Sequence, residues 1–203
     1  MVITGVYYAL AFGAAALAVS WLTRPWYAAP LVLLALFFLW FFRDPERTAP
    51  QGDHAVSPAD GKVTAVKPEG ADRTRISIFL SPIDVHVNRS PVAGQIVDYQ
   101  YRPGQFLIAS AEEASLVNEQ NVVTVKMDDG VNVIFKQIAG LVARRVIFQK
   151  KTGDRVAMGE RIGLMQFSSR MDILLGPEWD IVVKPGDRVS AATSIIARRR
   201  RGA

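Results

Sequence analysis

The chain has 203 residues, 24 Lys and Arg against 19 Asp and Glu (formal net charge +5), and half of its residues are hydrophobic. That composition is too apolar for a disordered polymer and sufficient for a sizeable core in one or two domains. Cysteine is absent and the histidines are only His54 and His86, which excludes a disulfide scaffold, a thiolate metal site and a cysteine nucleophile and disfavours a multi-histidine zinc centre, so no metal is expected.

The chain opens with an uncharged run from Val2 to Thr23, then Arg24-Pro25, then a second uncharged run from Trp26 to Phe42. The first run is long enough to span a hydrocarbon core. The second is at the short limit, with Trp26, Trp40 and Phe42 suited to the interfaces. The start lacks the basic n-region of a signal peptide. We therefore expect residues 1–42 to form a membrane-anchoring hydrophobic helical hairpin, with two buried core helices as the alternative. Arg24 sits in the tight loop and Arg43 and Arg47 follow the second run amid Asp44 and Glu46, so these charges do not by themselves orient the hairpin. The remaining domain is basic and ends in Arg198, Arg199, Arg200 and Arg201, which fits a cell-membrane location with that domain on the cytoplasmic face. The terminal Arg run reads equally well as a solvated tail. A pI near 9.7 raises nucleic-acid binding, but no aromatic–basic interleaving supports it, and no nucleic acid is expected.

From Arg43 onward the texture changes to short strands with turn punctuation. Arg75 to Leu80 alternates, as does Val122 to Met127, and Asp129-Gly130 joins the latter to Val131–Ile138 as a hairpin. Only Gln105 to Gln120 reads as a helix or long loop. Residues 43–203 are expected to be one mainly β domain. Lys151-Thr-Gly-Asp-Arg-Val156 recurs as Lys184-Pro-Gly-Asp-Arg-Val189, and Ser57-Pro-Ala-Asp-Gly-Lys-Val63 is echoed by Ser90-Pro-Val-Ala-Gly-Gln-Ile96, both at an offset of 33. Two Gly turns, each feeding an apolar strand, resemble the two-fold-related hairpins of biotinyl- and lipoyl-type β-sandwiches, so a barrel-sandwich fold is expected.

Candidate chemistry gathers in three segments. Ser57-Pro58-Ala59-Asp60-Gly61 places a carboxylate at a tight turn, and Leu80-Ser81-Pro82-Ile83-Asp84-Val85-His86 ends a strand with an acid and an imidazole. Phe167-Ser168-Ser169-Arg170 then sits between apolar strands, followed by Met171-Asp172-Ile173-Leu174-Leu175. Taken singly, a turn Asp is usually structural, a strand-end His is usually a satisfied hydrogen-bonder, and paired serines are usually only polar.

In this order, together with Phe41-Phe42-Arg43-Asp44-Pro45-Glu46-Arg47, Asp84-Val85-His86-Val87-Asn88-Arg89 and Ile138-Ala139-Gly140-Leu141-Val142-Ala143-Arg144-Arg145, the blocks resemble the phosphatidylserine decarboxylase family in its short form with an N-terminal hydrophobic hairpin. The resemblance implies a proenzyme that makes a covalent pyruvoyl cofactor from an internal serine, by position Ser169. Its hydroxyl would attack the residue-168 carbonyl, and elimination and hydrolysis would leave a β chain of residues 1–168 and a pyruvoyl-blocked α chain of residues 169–203. The mature enzyme would decarboxylate membrane phosphatidylserine to phosphatidylethanolamine through a Schiff base, acting on its substrate as a single assembly of its own α and β chains, with homo-oligomerisation left open.

By the same resemblance His86 matches the first histidine of an Asp-Tyr-His-type motif, while Arg89 stands where longer members carry a second. Asp60 is the candidate for polarising the processing machinery. His86 with Asp60 or Asp84 is the expected acid–base set, with the division between cleavage and decarboxylation open and His54 as an outside candidate. Arg89, Arg144 and Arg145 are basic groups for phosphate or carboxylate oxygens. The departure from the family is Ser168 in place of Gly before Ser169, which adds a Cβ and a second hydroxyl beside the cleavage site and predicts impaired processing. The rival reading is a non-catalytic membrane-anchored adaptor or binding module on a lipoyl-like sandwich.

Overall fold

The computed structural model describes residues 2–141, 146–166 and 169–200. The chain divides into two compact units, 1–46 and 47–203.

The first unit is helical: α1 (Ile3–Leu22), a 3-10 turn at Pro25–Ala28 and α2 (Ala29–Phe41). Thr23 ends α1, its amide and hydroxyl both donating to the Val19 carbonyl at 2.9 and 2.6 Å. Arg24 is extended, as the residue before a proline prefers, and Pro25 opens the next turn. The helices meet through aromatic stacking of Tyr8 and Phe12 on Phe38, at ring separations of 4.8 and 5.3 Å. Leu10, Leu17, Trp21, Leu33 and Leu36 stay more than half exposed. A large apolar surface of this kind on uncharged helices suits lipid rather than water. With 20 residues α1 rises about 30 Å, the thickness of a hydrocarbon core, and has the length and composition of a membrane anchor. With 13 residues α2 covers only about 20 Å and does not cross unaided.

The second unit is mainly β, as expected. In chain order its strands are β1 (His54–Val56), β2 (Gly61–Glu69), β3 (Arg73–Leu80), β4 (Val87–Arg89), β5 (Gly94–Arg102), β6 (Gln120–Lys126) and β7 (Asn132–Ile138). There follow β8 (Val146–Phe148), β9 (Arg155–Val156), β10 (Arg161–Met165), β11 (Ser169–Leu175), β12 (Trp179–Ile181), β13 (Arg188–Val189) and β14 (Ile195–Arg199). Among the described residues the one helix here is α3 (Ala114–Val117), inside the segment expected to be helix or loop. A curled eight-stranded sheet runs β13-β2-β3-β11-β7-β6-β5-β9, accompanied by three-stranded sheets β1-β14-β12 and β4-β10-β8.

Alternation builds the core. Ile76, Ile78 and Leu80 of β3, Val123 and Val125 of β6, Val133 and Phe135 of β7, and Met171, Ile173 and Leu175 of β11 point into one apolar cluster. The hairpin expected at Asp129-Gly130 forms, with Lys126 opposite Asn132 and the Val131 amide on the Asp129 carboxylate at 3.1 Å.

The internal repeat is structural. In each copy an Asp carboxylate accepts from the amide three residues earlier, Lys151 to Asp154 at 3.0 Å and Lys184 to Asp187 at 2.9 Å. Gly153 and Gly186 take φ of 97° and 101°, and their amides donate to Ile96 and Val63, both at 2.8 Å. The two Ser-Pro turns exchange bonds, Val56 amide to Pro91 carbonyl and Arg89 amide to Pro58 carbonyl, each 2.9 Å. Two copies of one turn-and-strand unit thus close on one another, which makes the domain a barrel-sandwich.

Candidate active site

Ser169 is the first residue of β11 and pairs with Leu80, the last residue of β3. It is fully buried, and its Oγ has no hydrogen-bond partner among the described residues. The cause is strand alternation: Ser169 shares a face with Met171, Ile173 and Leu175, which form the apolar core. Met165, four residues earlier, ends β10 in a different sheet, and its amide donates to the His86 carbonyl at 3.1 Å. Met165 in one sheet and Ser169 in another therefore flank the expected cleavage point, Met165 bonded to His86 and Ser169 paired with Leu80. Phe167 and Ser168 lie outside the described residues, as do Arg144 and Arg145.

The turn that leaves β3 brings in Asp84 and His86. Asp84 accepts from the Ser81 amide at 2.9 Å and the Ser81 hydroxyl at 2.6 Å, and from Arg188 Nη1 at 3.2 Å. It is a turn staple whose carboxylate is occupied. His86 is 1% exposed, with Nδ1 2.9 Å from the Asp84 carbonyl. A carbonyl only accepts, so Nδ1 carries the proton, and in the neutral ring Nε2 presents its lone pair. Asp84 thus meets His86 through its backbone carbonyl. Arg89 is also buried, donating to the Gly159 carbonyl at 3.1 Å.

Asp60 lies one residue ahead of β2, at the end of the sheet where β3 finishes, with β3 intervening before β11. Both its oxygens are engaged, by a two-pronged Arg47 fork and by the Ala191 amide at 2.8 Å. The structure therefore gathers Ser169, His86 and Asp84 around the β3 end and gives Asp60 a lock between the 57–61 turn and the 188–192 turn. His54 is elsewhere: it sits on β1 with Nε2 3.0 Å from the Pro50 carbonyl. It lines a cleft of about 770 Å³ with Asp129 and Arg198, and Asp129 belongs to the hairpin at the opposite end of β7 from Ile138, which pairs beside Ser169.

A buried ionic network, not anticipated from sequence, lies on the other face of β11. Arg170 (1% exposed) donates Nε to Asp172 at 2.7 Å, Nη2 to the Ser77 hydroxyl at 2.7 Å and Nη1 to the Ala111 carbonyl at 3.1 Å. Asp172, fully buried, also accepts from the Ser115 hydroxyl, which accepts in turn from Arg75 Nη1 at 3.0 Å. Arg75 reaches Glu112, and Glu69 at 3.1 Å. Burial opposes ionisation of Glu112, but the hydrogen bond and charge of Arg75, helped by Arg170 and Lys67, outweigh it and hold the carboxyl below the usual carboxylate range. For Arg75 burial likewise works against the charge, and Glu112, Asp172 and Glu69 overcome it, leaving the guanidinium above its ordinary value. The available signal was two charges at i and i+2 in an otherwise apolar run, matched by Arg75 and Ser77 on the neighbouring strand.

Among the described residues no group of three His, Cys, Asp or Glu is placed to hold a metal ion. A buried serine with an unsatisfied hydroxyl, at the start of a strand entered from another sheet, fits a residue that is itself converted into the cofactor.

A family model described as phosphatidylserine decarboxylase matches residues 34–197. A phosphatidylserine decarboxylase proenzyme of Solibacter usitatus (strain Ellin6076) is 65% identical over 199 residues, 98% of this chain and 97% of that one. Proenzymes of the same description from Amoebophilus asiaticus (strain 5a2) and Erythrobacter litoralis (strain HTCC2594) are each 44% identical. They match over 173 residues (82% of this chain, 77% of the relative) and 210 residues (94% and 84%) respectively. The chain belongs to the phosphatidylserine decarboxylase family and is an enzyme of that family, which removes the adaptor alternative.

Proposed function

We propose that this member of the phosphatidylserine decarboxylase family matures by self-cleavage between Ser168 and Ser169 and then decarboxylates membrane phosphatidylserine. The observation that carries the reading is Ser169 itself, fully buried at the start of β11, with an Oγ lacking any partner among the described residues. In the first step Oγ attacks the residue-168 carbonyl carbon, the peptide C–N bond breaks, and the Ser169 nitrogen takes the proton. A base then removes the Ser169 Cα proton and the residue-168 carboxylate departs. The resulting dehydroalanine tautomerises, and water releases ammonia to leave a ketone at residue 169.

That pyruvoyl ketone supplies an electron sink for a substrate bound through its amine. What the chain contributes around it is positioning and proton handling. His86, with Nδ1 fixed on the Asp84 carbonyl, has Nε2 as the atom that accepts or returns a proton. Burial of His86 and Ser169 keeps water from the new carbonyl. Asp60 supports maturation through the turn geometry it locks with Arg47 and Ala191. The basic character of the β unit and its Arg-rich end support the cytoplasmic face as the site of action.

Intact mass of the purified full chain tests the reading. Fragments 1–168 and 169–203 are expected beside a remainder of full-length chain left by the Ser168 side chain, the second fragment without a free α-amine and reactive toward a hydrazide, while Ser169→Ala remains wholly a single chain. Cleavage at another bond, or lipid turnover by an uncleaved chain, would overturn it.

A further inference from the structure

The segment between β5 and β6, residues 103–119, combines two properties that rarely coexist in a surface loop. Its apolar side chains point outward: Ile108 is 59% exposed and Leu116 75%, with Leu107 and Val117 also in the open. A loop free to collapse would bury them, and this one is bolted in place instead. Asn118, itself buried, accepts from the Leu107 amide at 2.9 Å and donates to the Leu107 and Ala139 carbonyls at 2.9 and 2.8 Å. Arg170 holds the Ala111 carbonyl, and Ser115 is held between Arg75 and Asp172. The polar atoms of the loop are satisfied from beneath, so its outer surface can be apolar without leaving buried backbone groups unpaired.

Its location is specific. Gln120, Ile138 and Arg170 lie side by side on β6, β7 and β11, so the loop leaves the sheet at the end where Ser169 begins β11. Tyr101, 53% exposed on the strand leading into the loop, adds an aromatic of the kind favoured at a lipid–water boundary. Between Gln105 and Glu119 the sequence carries Glu112, Glu113 and Glu119 and no Lys or Arg. Attraction to an anionic surface therefore does not explain this face, whereas partitioning into hydrocarbon does.

We propose that the 103–119 loop is an interfacial element that inserts Ile108 and Leu116 into the lipid bilayer beside the Ser169 end of the sheet. The inference rests on the proposed reaction: a diacyl substrate must bring its headgroup to Ser169 while its chains stay in hydrocarbon, which requires that end of the domain to meet the membrane. The loop gives that end an apolar surface on a rigid mount.

Because the chain has no cysteine, single reporters are straightforward to place. The full chain carrying Leu116→Cys, Ile108→Cys or, at the opposite end of the β6–β7 hairpin, Asp128→Cys is labelled with an environment-sensitive fluorophore and reconstituted in phosphatidylcholine vesicles. Labels at 116 and 108 are expected to shift to the blue, to be quenched by nitroxide on the acyl chains and to lose most of their quenching by aqueous iodide, with no change at high salt. The label at 128 should behave oppositely. Equal iodide access at all three positions, or protection at 116 and 108 that disappears in high salt, would overturn the proposal. The labels report depth whether or not lipid is turned over, so an absence of turnover would count against the proposed reaction while the quenching still decides the loop.

Discussion

Asp172→Ala should be among the most damaging single substitutions in the β unit. Asp172 is fully buried, neutralises an Arg170 guanidinium that is itself 1% exposed, and takes the Ser115 hydroxyl on its other oxygen. Removing the carboxylate strands the Nε–H of Arg170 and leaves its buried guanidinium only the longer contact to Glu112 at 3.9 Å. Breaking a buried pair from one side costs about 3–5 kcal/mol, against a total stability of about 5–15 kcal/mol for a domain of this kind. With a urea slope of about 2 kcal/mol per molar, the unfolding midpoint should fall by roughly 1.5–2.5 M. The assay is urea titration of the full chain in detergent, carrying Ser169→Ala to keep it in one piece and Trp21→Phe, Trp26→Phe and Trp40→Phe so that the fluorescence read is that of Trp179, which is 3% exposed. The double variant Arg170→Leu/Asp172→Leu should recover much of the loss, because neither partner is left charged and alone. A midpoint shift below about 0.5 M for Asp172→Ala, or a double variant worse than both singles, would refute the reasoning.

His86→Ala should leave the fold intact and lower decarboxylation about 10²–10⁴-fold in whatever fraction is processed; near-normal turnover would remove the imidazole from the reaction. Ser168→Gly should accelerate self-cleavage, because it removes a Cβ beside the attacked carbonyl; a gel time course showing equal rates would end the steric argument. Glu112 and Glu160 are both held below the ordinary carboxylate value, so their contribution is present above the unfolded Glu pKa and is lost as pH falls through the lower folded values. Thermal melts between about pH 3 and 6 should show stability dropping on the acid side, with a shallower drop in Glu112→Gln/Glu160→Gln.

Much of the fold was legible because its signals are local. Asp129-Gly130 between two alternating runs specifies a hairpin from a handful of residues. The repeat was legible for a related reason: a Gly-Asp turn needs a positive-φ residue and a carboxylate reaching back to an amide, so both copies keep the same letters. The two-residue strands β9 and β13 were not legible. They exist only because the repeat turns dock on β5 and β2, a long-range pairing that no window of sequence contains. The 105–120 segment stayed ambiguous for a different reason, since its one helical turn is held by Asn118, Arg170 and Ser115 rather than by helical periodicity.

The candidate site divides along the same line, and β11 shows why. Ser169 was singled out by the order of motifs, but the condition of its hydroxyl comes from strand register: the face that carries Met171, Ile173 and Leu175 into the core carries Ser169 too, while Arg170 and Asp172 take the face that is polar and hydrogen-bonded. One residue of offset would exchange those environments, giving the serine the hydrogen bonds and the arginine the hydrocarbon. As built, the proenzyme holds an unsatisfied hydroxyl at a cost of about 1–3 kcal/mol. In the proposed maturation that oxygen leaves residue 169 as part of the new carboxylate of residue 168. On the proposed reading the register of β11 confines the candidate nucleophile to the apolar face, while Arg170 and Asp172 on the other face tie the strand to Ser77 of β3 and to Ala111 and Ser115 of the 103–119 loop.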